Sequence, residues 1–246
     1  MIFFVTGGSR GIGAAIVLEA ARQGHDVAFT YVHSEAAAHD LARQCADLAP
    51  ERKIRPYRLD VRSSAEVEAI GDRVIEDFGS VDVVVANAGI NHNNLLVSMS
   101  DEEWKDVLDT NLTGAFFVVR QFLPTFLAQR FGRVILMGSL GTTGVSGQAN
   151  YCASKAGLLG LSTTIAKEYG KRGVTSNVVS PGFFETDMTR DGMSAANRAF
   201  WTQHCPLGRL GELPELAKLV AFLASPGADY INGQEIRVDG GLGWAP

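Results

Sequence analysis

A serine, a tyrosine and a lysine stand in the chain in a pattern suited to proton transfer. Ser139 follows the apolar run 133–138, and Tyr151 and Lys155 lie four residues apart in a predicted helix. Residues four apart share one helix face, and a nearby cation lowers the pKa of a phenol, ordinarily ~10. Lys155 is therefore expected to bring the Tyr151 phenol toward the range of a general acid or base. The alternative is a helix that merely exposes the two side chains, because Tyr-x-x-x-Lys alone is a weak signal.

Alternating elements along the chain must position these residues. Short apolar or β-branched runs are followed by longer amphipathic segments, which predicts a doubly wound α/β sheet. The nearly continuous apolar runs 81–85 and 134–137 are typical of strands buried on both faces of a parallel sheet. The predicted strands are 2–6, 26–31, 53–59, 81–86, 132–138, 173–179 and 234–238. The predicted helices are 11–23, 35–49, 64–78, 101–129, 150–171 and 212–224.

The expected fold is a Rossmann-type doubly wound sheet of about seven parallel strands, with helices on both faces. We find no internal repeat, low-complexity tract or linker, so residues 1–246 are predicted to form one domain. Two helix starts carry capping-box chemistry, Ser63 with Glu66 and Ser100 with Glu103.

Composition excludes several classes of protein. The net charge is -5 and there is no basic run, so nucleic acid is not an expected partner. No apolar run approaches the ~20 residues of a membrane-spanning helix, and the apolar segment 1–5 meets a glycine turn too soon for a signal peptide. The three cysteines (Cys45, Cys152 and Cys205) show no metal-like spacing. We expect a reduced, cytoplasmic protein without a metal site.

A glycine-rich turn follows the first predicted strand. It reads Thr-Gly-Gly-Ser-Arg-Gly-Ile-Gly over residues 6–13 and leads at once into a helix. Glycines there allow a tight turn and let backbone N–H groups approach a phosphate at the helix N-terminus. The spacing of Gly7, Gly11 and Gly13 is G-x-x-x-G-x-G rather than G-x-G-x-x-G. A bare strand–helix connection is the alternative, but the position after the first strand favours nucleotide binding.

The residues after the second predicted strand favour NADP(H) over NAD(H). NAD-binding folds place an acidic residue near the end of that strand, whereas here no carboxylate occurs before Glu35. Arg10, in the glycine turn, is placed to meet a 2′-phosphate, and His33 and Ser34 are candidates to assist it. A solvated surface charge is the alternative for Arg10.

The segment 181–211 lacks a clean period and is long for a connection. Unstructured connections of this length are often active-site lids, and we predict a substrate lid. The alternative is a surface excursion with a short helix near 194–204.

Taken together, the chain resembles the short-chain dehydrogenases/reductases over essentially its whole length. Beside the glycine turn and the Ser139, Tyr151, Lys155 set, the motifs are Leu59-Asp60-Val61, Asn87-Ala88-Gly89, Asn111 within DTNLTG, and Pro181-Gly182 followed by Thr186. Within the family it is most similar to the β-ketoacyl-(acyl-carrier-protein) reductases, through AGINHNNLLVSMSDEEW, GQANYCASKAG, VVSPGFFETDM and INGQEIRVDGG. Two departures are a loop between Ser139 and Tyr151 that is one residue shorter than usual, and Ala86 in place of an asparagine.

The resemblance implies a role for each matching residue. Tyr151 would donate a proton to a ketone oxygen that Ser139 also hydrogen-bonds. Lys155 would bind the nicotinamide ribose and lower the pKa of the tyrosine, and Asn111 would hold a water that links Lys155 to solvent. The cofactor would contact Gly7, Ser9, Arg10, Gly11, Ile12, Gly13, His33, Ser34, Asp60, Val61, Asn87, Ala88, Gly89, Tyr151, Lys155, Pro181, Gly182 and Thr186.

Substrate and partner contacts form a second group of expectations. Candidate substrate residues are His92, Gln148, Phe183 and Phe184, with Met188, Met193 and Trp201 as further apolar lid positions. Arg130 and Arg172 resemble the basic residues with which carrier-protein reductases dock their acidic carrier, the alternative being two solvated arginines. Residues 155–166 are apolar or small nearly all round, which indicates burial on several sides. This agrees with the family's homotetramers, and a hetero-oligomer with a related subunit is a further possibility.

The function expected is NADPH-dependent reduction of a β-ketoacyl thioester on an acyl carrier protein, in fatty-acid or in polyketide or polyene synthesis. The second hypothesis is the same chemistry on a free alcohol or ketone, such as a sugar, steroid or xenobiotic. The third is a non-catalytic dinucleotide sensor, which predicts a broken catalytic set. Asn111, Ser139, Tyr151 and Lys155 are all present.

Overall fold

Seven parallel strands form one sheet in the order β3-β2-β1-β4-β5-β6-β7. The computed structural model describes residues 1–186 and 194–244. The strands are β1 (Ile2–Val5), β2 (Asp26–Tyr31), β3 (Ile54–Arg58), β4 (Val83–Ala86), β5 (Gly132–Met137), β6 (Val174–Pro181) and β7 (Glu235–Val238). The chain order reverses between β1 and β4, and ligands of such sheets bind at the carboxyl ends of the strands beside this switch point.

Helices cover both faces of the sheet. They are α1 (Gly11–Arg22), α2 (Glu35–Leu48), α3 (Ser64–Phe78), α4 (Asp101–Leu108), α5 (Gly114–Gln129), α6 (Ala149–Tyr169), α7 (Ala195–His204) and α8 (Leu213–Ala224). Successive residues of β1 point to opposite faces, so Phe3 and Val5 join a core cluster with α1, α2 and α8. Phe4 joins the second cluster, with α3, α5 and α6.

The sequence-based prediction of the fold is confirmed. Each predicted strand is present, with boundaries that differ by no more than two residues, and the all-parallel order is that of a doubly wound sheet. Strands β4 and β5 are buried at every position, as their continuous apolar runs indicate. Ser100 and Glu103 form the complete capping box. At α3 only half of the predicted box forms: Ser63 accepts from the Glu66 N–H, but the Glu66 carboxylate bonds the Asp60 N–H.

The predicted helix 101–129 is interrupted by a π turn. Asp109–Thr113 lies between α4 and α5 and has π-helical hydrogen bonding, although the chain remains helical throughout. Periodicity did not predict this turn because a single additional residue leaves the apolar pattern on each side intact. Turns of this kind occur frequently at functional sites.

The lid segment is described on both sides of residues 187–193. A short helix, α7, lies where the sequence predicts one, and Phe184 forms a parallel β-bridge with Gly211. Met188 and Met193 lie outside the described residues. Among the described residues, no helix is both long enough and apolar enough to cross a membrane.

Candidate active site

The glycine turn joins the carboxyl end of β1 to α1. Gly7 and Gly11 have positive φ angles, 62° and 56°. A Cβ on Gly13 would collide with the Gly7 carbonyl oxygen and lie 2.7 Å from Asn87 Nδ2. The turn therefore requires glycine at these three positions for reasons of backbone geometry.

Side chains from β1 and β4 tie this turn to the centre of the sheet. Thr6 Oγ1 accepts hydrogen bonds from the N–H groups of Asn87 and Ala88, both at 3.0 Å. Asn87 Nδ2 donates to the carbonyl oxygens of Thr6 and Gly7, also at 3.0 Å. The predicted Asn87-Ala88-Gly89 turn is thus brought directly against the predicted glycine turn.

The N-terminus of α1 has the features of an anion site. Arg10 is its exposed, extended N-cap residue; its side chain does not cap the helix, and the first turn contains no acidic residue. Backbone N–H groups at such a terminus carry partial positive charge and attract phosphate. Ser9 and Ile12 are half-buried on either side. Together with the close approach permitted at Gly13, these features fit the pyrophosphate of a dinucleotide.

The adenine-side residues lie at the ends of β2 and β3. Val61 is buried, and Arg62 holds the Asp60 carboxylate with hydrogen bonds of 2.6–3.0 Å, which lowers the pKa of Asp60. His33 is close enough that its charge also lowers this pKa. The residues predicted from separate motifs, His33 and Asp60–Val61, are therefore neighbours.

The acidic residue that follows β2 is already engaged. Glu35 accepts a hydrogen bond from the Tyr31 phenol, whose pKa is raised by burial and then by this carboxylate. Ser34 is the N-cap residue of α2, yet its side chain makes no capping hydrogen bond. Between the end of β2 and Glu35, the chain thus carries the His33 imidazole and the Ser34 hydroxyl.

Ser139, Tyr151 and Lys155 come together at the carboxyl end of β5. Ser139 Oγ accepts from the Gly141 N–H at 3.1 Å, and the serine hydroxyl hydrogen-bonds the Tyr151 phenol. Lys155 Nζ lies 5.6 Å from the centre of the tyrosine ring. The predicted catalytic side chains therefore share one small space.

The expectation that Lys155 lowers the pKa of Tyr151 is wrong for this structure. Burial raises the pKa of Tyr151, the Ser139 hydrogen bond lowers it, and the net pKa is above its ordinary value of 10.0. Lys155 Nζ instead donates to the Met137 carbonyl oxygen at 2.7 Å, and burial lowers its own pKa from 10.5 to about 8. Tyr151 is consequently protonated at neutral pH, the form of an acid.

Asn111 lies in the π turn with its side chain fully used. Its Oδ1 accepts from the Ile90 N–H at 2.8 Å, and its Nδ2 donates to the Ile90 carbonyl oxygen and to Ser154 Oγ, both at 3.0 Å. The side chain is 1% exposed. The expectation that Asn111 holds a water for Lys155 stays a prediction. Its contacts clamp the loop after β4 to α6.

Two polar residues of α6 escaped the sequence reasoning. Ser154 is fully buried; it accepts from Asn111 and donates to the Tyr151 carbonyl oxygen at 2.7 Å. Asn150 is also fully buried, donates to the carbonyls of His92 and Glu103, and accepts from the Tyr151 N–H. The sequence feature that could have indicated them is the presence of polar residues among the apolar and small residues of this helix. Both orient the helix that carries Tyr151.

The substrate-side candidates from the loop after β4 lie beside the start of α6. Gln148 is the N-cap residue of α6, and its Nε2 donates to Asn93 Oδ1 at 3.0 Å. The Asn94 N–H donates to the Gly147 carbonyl at 2.9 Å. His92 is exposed on the same loop. Gln148 and His92 are thus adjacent to the tyrosine helix.

The two phenylalanines of the lid differ in environment. Phe184 is 4% exposed and belongs to the core cluster with α1, α2 and α8; the expectation that it contacts substrate stays a prediction. Phe183 stacks on Trp201 of α7 with 4.2 Å between ring centres. Arg198 of α7 pairs with Glu185.

The residues after β6 lie close to Ser139. The Gly182 N–H donates to the Val238 carbonyl at 2.9 Å, and a Cβ on Gly182 would lie 2.9 Å from Asp239 Cβ and 3.3 Å from Leu140 Cδ1. Pro181 ends β6 and Thr186 is half-buried four residues beyond Gly182. Pro181 and Gly182 are therefore at the same edge of the sheet as Ser139.

The predicted docking arginines are neighbours at the opposite edge. Arg130 precedes β5 and Arg172 precedes β6, and both are exposed. The Arg130 carbonyl lies against Gly173, so the two turns touch. Because β5 spans six residues at about 3.3 Å each, the arginines lie on the order of 20 Å from the catalytic end. They do not line the active-site entrance of their own chain.

Cysteine and metal chemistry have no support in the described part of the chain. All three cysteines are free and buried, including Cys152 beside Tyr151. Within residues 1–186 and 194–244, no group of three or more His, Cys, Asp or Glu side chains is arranged to hold a metal ion.

Known proteins resemble this chain over nearly its whole length. The family model described as enoyl-(acyl carrier protein) reductase matches residues 7–243. A 3-oxoacyl-(acyl-carrier-protein) reductase of Haemophilus influenzae is 43% identical over 242 residues, 98% of this chain and 97% of the relative. Its namesakes in Escherichia coli and Staphylococcus aureus are 43% and 42% identical, covering 98% and 97% of this chain and 96% of each relative.

A solved structure resembles this chain in three dimensions over nearly its whole length. A protein of Agrobacterium tumefaciens, provisionally named a gluconate dehydrogenase, superposes with a TM-score of 0.93 at 28% identity. The superposition covers 98% of this chain and 95% of that one. The whole architecture is therefore shared, including the sheet edge at which the glycine turn and the Ser139, Tyr151, Lys155 set lie.

Proposed function

This chain belongs to the short-chain dehydrogenase/reductase family, oxidoreductases that use a nicotinamide dinucleotide, and we propose that it reduces β-ketoacyl thioesters with NADPH. The observation that carries the proposal is 42–43% identity, over nearly the full chain, to relatives named for that reaction. The product is the β-hydroxyacyl thioester. We place the reaction in fatty-acid synthesis, with polyketide or polyene assembly as chemically equivalent settings.

Tyr151 is the proton donor in this proposal. The ketone oxygen accepts hydrogen bonds from the Tyr151 phenol and the Ser139 hydroxyl, which are already in contact with each other. The dinucleotide, when bound, supplies the hydride that reaches the carbonyl carbon. Tyr151 then gives its proton to the oxygen, and the pair stabilises the charge that develops there. A raised phenol pKa keeps this proton in place until it is needed, which suits reduction at neutral pH.

Lys155 restores the proton and holds the ribose. With a pKa lowered to about 8, its ammonium can release and regain a proton near neutral pH. A Cβ on Gly89 would lie 3.5 Å from Nζ, so the turn after β4 passes directly over the lysine. Lys155 is thus within reach of both the cofactor edge and the tyrosine.

The preference for NADP(H) follows from the groups around the end of β2. Arg10 is exposed at the N-terminus of α1. His33 and Ser34 lie on the loop after β2, and the Ser34 hydroxyl makes no capping hydrogen bond. These groups suit a 2′-phosphate. Glu35, the nearest acidic residue, already accepts a hydrogen bond from Tyr31.

An acyl carrier protein is the proposed substrate carrier. Its acidic surface would dock on Arg130 and Arg172, which are exposed and adjacent. Since this pair lies far from Tyr151 in its own chain, the docked carrier would serve a neighbouring subunit. Reversing the charge of Arg130 should slow turnover of carrier-bound substrate and leave a carrier-free thioester unaffected, whereas equal effects on both would contradict docking there.

A homotetramer supplies that neighbour. Between residues 149 and 166 the exposed positions of α6 are small, Ala153, Gly160 and Thr164, and Phe116 of α5, in the same layer, is 40% exposed. Such a surface allows close packing against a second copy or a related subunit. The mass in solution, measured by light scattering, tests this directly. Three free, buried cysteines support a reducing, cytoplasmic setting.

The experiment that tests the proposal is NADPH oxidation by purified protein offered acetoacetyl-N-acetylcysteamine. We expect turnover that falls at least 1000-fold in Tyr151→Phe, because general acid catalysis contributes ~10²–10⁴. The affinity for NADPH should be unchanged in that variant. Unchanged turnover in Tyr151→Phe would refute the assignment of the proton donor.

Two substrates test competing reactions. The matching family description names an enoyl reductase, so crotonyl-N-acetylcysteamine serves as the carbon–carbon double-bond substrate. The structural neighbour named a gluconate dehydrogenase makes gluconate with NADP⁺ the free-alcohol substrate. Faster turnover of either one would replace the proposed function. NADPH binding with no turnover of any of the three would favour the non-catalytic alternative.

A further inference from the structure

An apolar cavity of about 130 Å³ lies between the lid and the C-terminal end of the sheet. Its apolar walls are Phe183, Phe184, Leu207, Leu210, Val238 and Leu242. Phe184, Leu210 and Leu242 are at most 9% exposed, whereas Leu207 is 67% exposed and lies at the opening. The cavity is therefore closed on its inner side and open toward the lid.

The cavity lies close to the end of the sheet that carries Ser139. Phe183, one of its walls, directly follows Gly182, and Asp239, another lining residue, would touch a Cβ placed on Gly182. Leu140, which follows Ser139, contacts that same position at 3.3 Å. Gly182 therefore lies between the residue that follows Ser139 and the lining of the cavity.

The polar groups around the cavity are already paired. Arg209 donates to both carboxylate oxygens of Glu215, and the pKa of Glu215 is lowered to about 2, so the two groups form a charged pair. The Asp239 carboxylate accepts from the N–H groups of Gly241 and Gly243 at 2.9 Å and 3.0 Å. None of these side chains needs a polar ligand, so the cavity favours a hydrocarbon.

We propose that this cavity receives the distal end of the substrate's acyl chain and that its walls set the preferred chain length. The inference rests on the proposed function, since it requires an acyl substrate whose ketone lies at Ser139 and Tyr151. A water molecule takes about 30 Å³ of liquid and a methylene group is of similar size, so the cavity holds at least about four chain carbons. Short substrates end before they reach it.

Phe183 stands where the acyl chain enters. It lines the cavity on one side and stacks on Trp201 with 4.2 Å between ring centres. The lid helix is thereby connected to the cavity opening through one aromatic pair. Each buried methylene contributes about 0.8 kcal/mol, so about four of them raise kcat/KM for a long chain over a short one by up to ~200-fold.

The test compares chain lengths in variants that fill the opening. Leu207→Trp adds bulk at an exposed position that the fold tolerates, and Leu242→Phe does so from the opposite wall. Leu48→Trp, at the 51% exposed end of α2, is the matched control. The substrates are acetoacetyl and β-ketodecanoyl thioesters of N-acetylcysteamine, measured as kcat/KM with NADPH.

We expect Leu207→Trp to lower kcat/KM for the β-ketodecanoyl thioester at least 10-fold and to leave the acetoacetyl thioester within twofold. Leu242→Phe should act in the same direction, and Leu48→Trp should match the wild type on both. An equal fall on both substrates, or no fall on either, would overturn the inference while wild-type turnover kept the proposed function intact. A wild type that reduces neither thioester would refute the proposed function and the inference together.

Discussion

The cofactor edge and the lid edge of this sheet are built by different means. Around the ends of β1 and β4, backbone groups and glycines set the geometry: Gly13 admits no Cβ, and Thr6 and Asn87 exchange four hydrogen bonds of 3.0 Å with the main chain. The lid edge is held by side chains, through the Phe183–Trp201 stack and the Arg198–Glu185 pair. An edge whose geometry is set by backbone groups suits a ligand of constant structure, such as a cofactor. An edge built from side chains can be altered one residue at a time.

The largest effect on cofactor affinity is expected at Gly13, where the backbone of the cofactor edge leaves no room for a side chain. Gly13→Ala places a Cβ against the Gly7 carbonyl and Asn87 Nδ2, both of them fixed in place. Overpacking of this kind costs about 2–3 kcal/mol, and we expect the affinity for NADPH to fall at least 100-fold, as measured by fluorescence titration. Gly170→Ala is the control, because its nearest neighbour is the end of the Asn232 side chain at 3.3 Å. Normal binding by Gly13→Ala would mean that the turn can move.

Replacing Lys155, which lies between the two edges, should abolish activity and raise the stability of the fold. Burial lowers its pKa from 10.5 to about 8, a difference worth about 3 kcal/mol. The penalty for burying the ammonium is fully present below pH 8 and fades as the pH rises toward 10.5, because the unfolded chain binds the extra proton only in that window. Lys155→Met should therefore be inactive yet more stable than the wild type by about 2 kcal/mol at pH 7.

The pH dependence of that difference is the decisive part. Urea unfolding at pH 7 and pH 10 should show the advantage of Lys155→Met shrinking at the higher pH. Lys167→Met, at an exposed position on the same helix, should show no such change. A difference that is constant with pH would indicate that lost packing, rather than the buried charge, governs the stability of the variant.

Arg10 should contribute to the affinity for NADPH and not to the affinity for NADH. We expect Arg10→Ala to weaken NADPH about 10-fold, the loss of one charge-assisted contact, with NADH unchanged. Arg22→Ala, at the far end of α1, provides the matched control. Equal weakening of both cofactors would place Arg10 at the pyrophosphate instead of the 2′-phosphate.

The smallest effect is expected at Trp201, on the lid edge. Trp201→Ala removes the stack with Phe183, and aromatic pairs contribute about 0.5–1.5 kcal/mol. KM for an acyl thioester should rise severalfold, with the dissociation constant of NADPH unchanged. Phe222→Ala, a 47% exposed ring on α8, controls for the loss of an aromatic surface. A matching loss of NADPH affinity would show that the two edges are not independent.

The contrast also explains which features the sequence could predict. Strands β4 and β5 are apolar at nearly every position and the glycine turn follows β1, so local chemistry alone indicated the sheet and its cofactor edge. The pKa of Tyr151 could not be predicted in the same way, because it depends on burial, which raises it, and on the hydrogen bond with Ser139, which lowers it. Likewise, the burial of Phe184 in the core accompanies its bridge to Gly211, which no local pattern indicates.

Because of the π turn at Asp109–Thr113, the position of Asn111 depends on the number of residues in this helical segment. Each residue added to or removed from a helix rotates the downstream part of that helix by about 100°. Deleting one residue here would give a smoother helix, but it would swing Asn111 away from Ile90 and Ser154 and leave buried amide groups without partners. In a scan of single-residue deletions, shortening this turn should abolish activity although every side chain of the catalytic set is retained. Helical register, rather than residue identity, is the property that this part of the chain has to preserve.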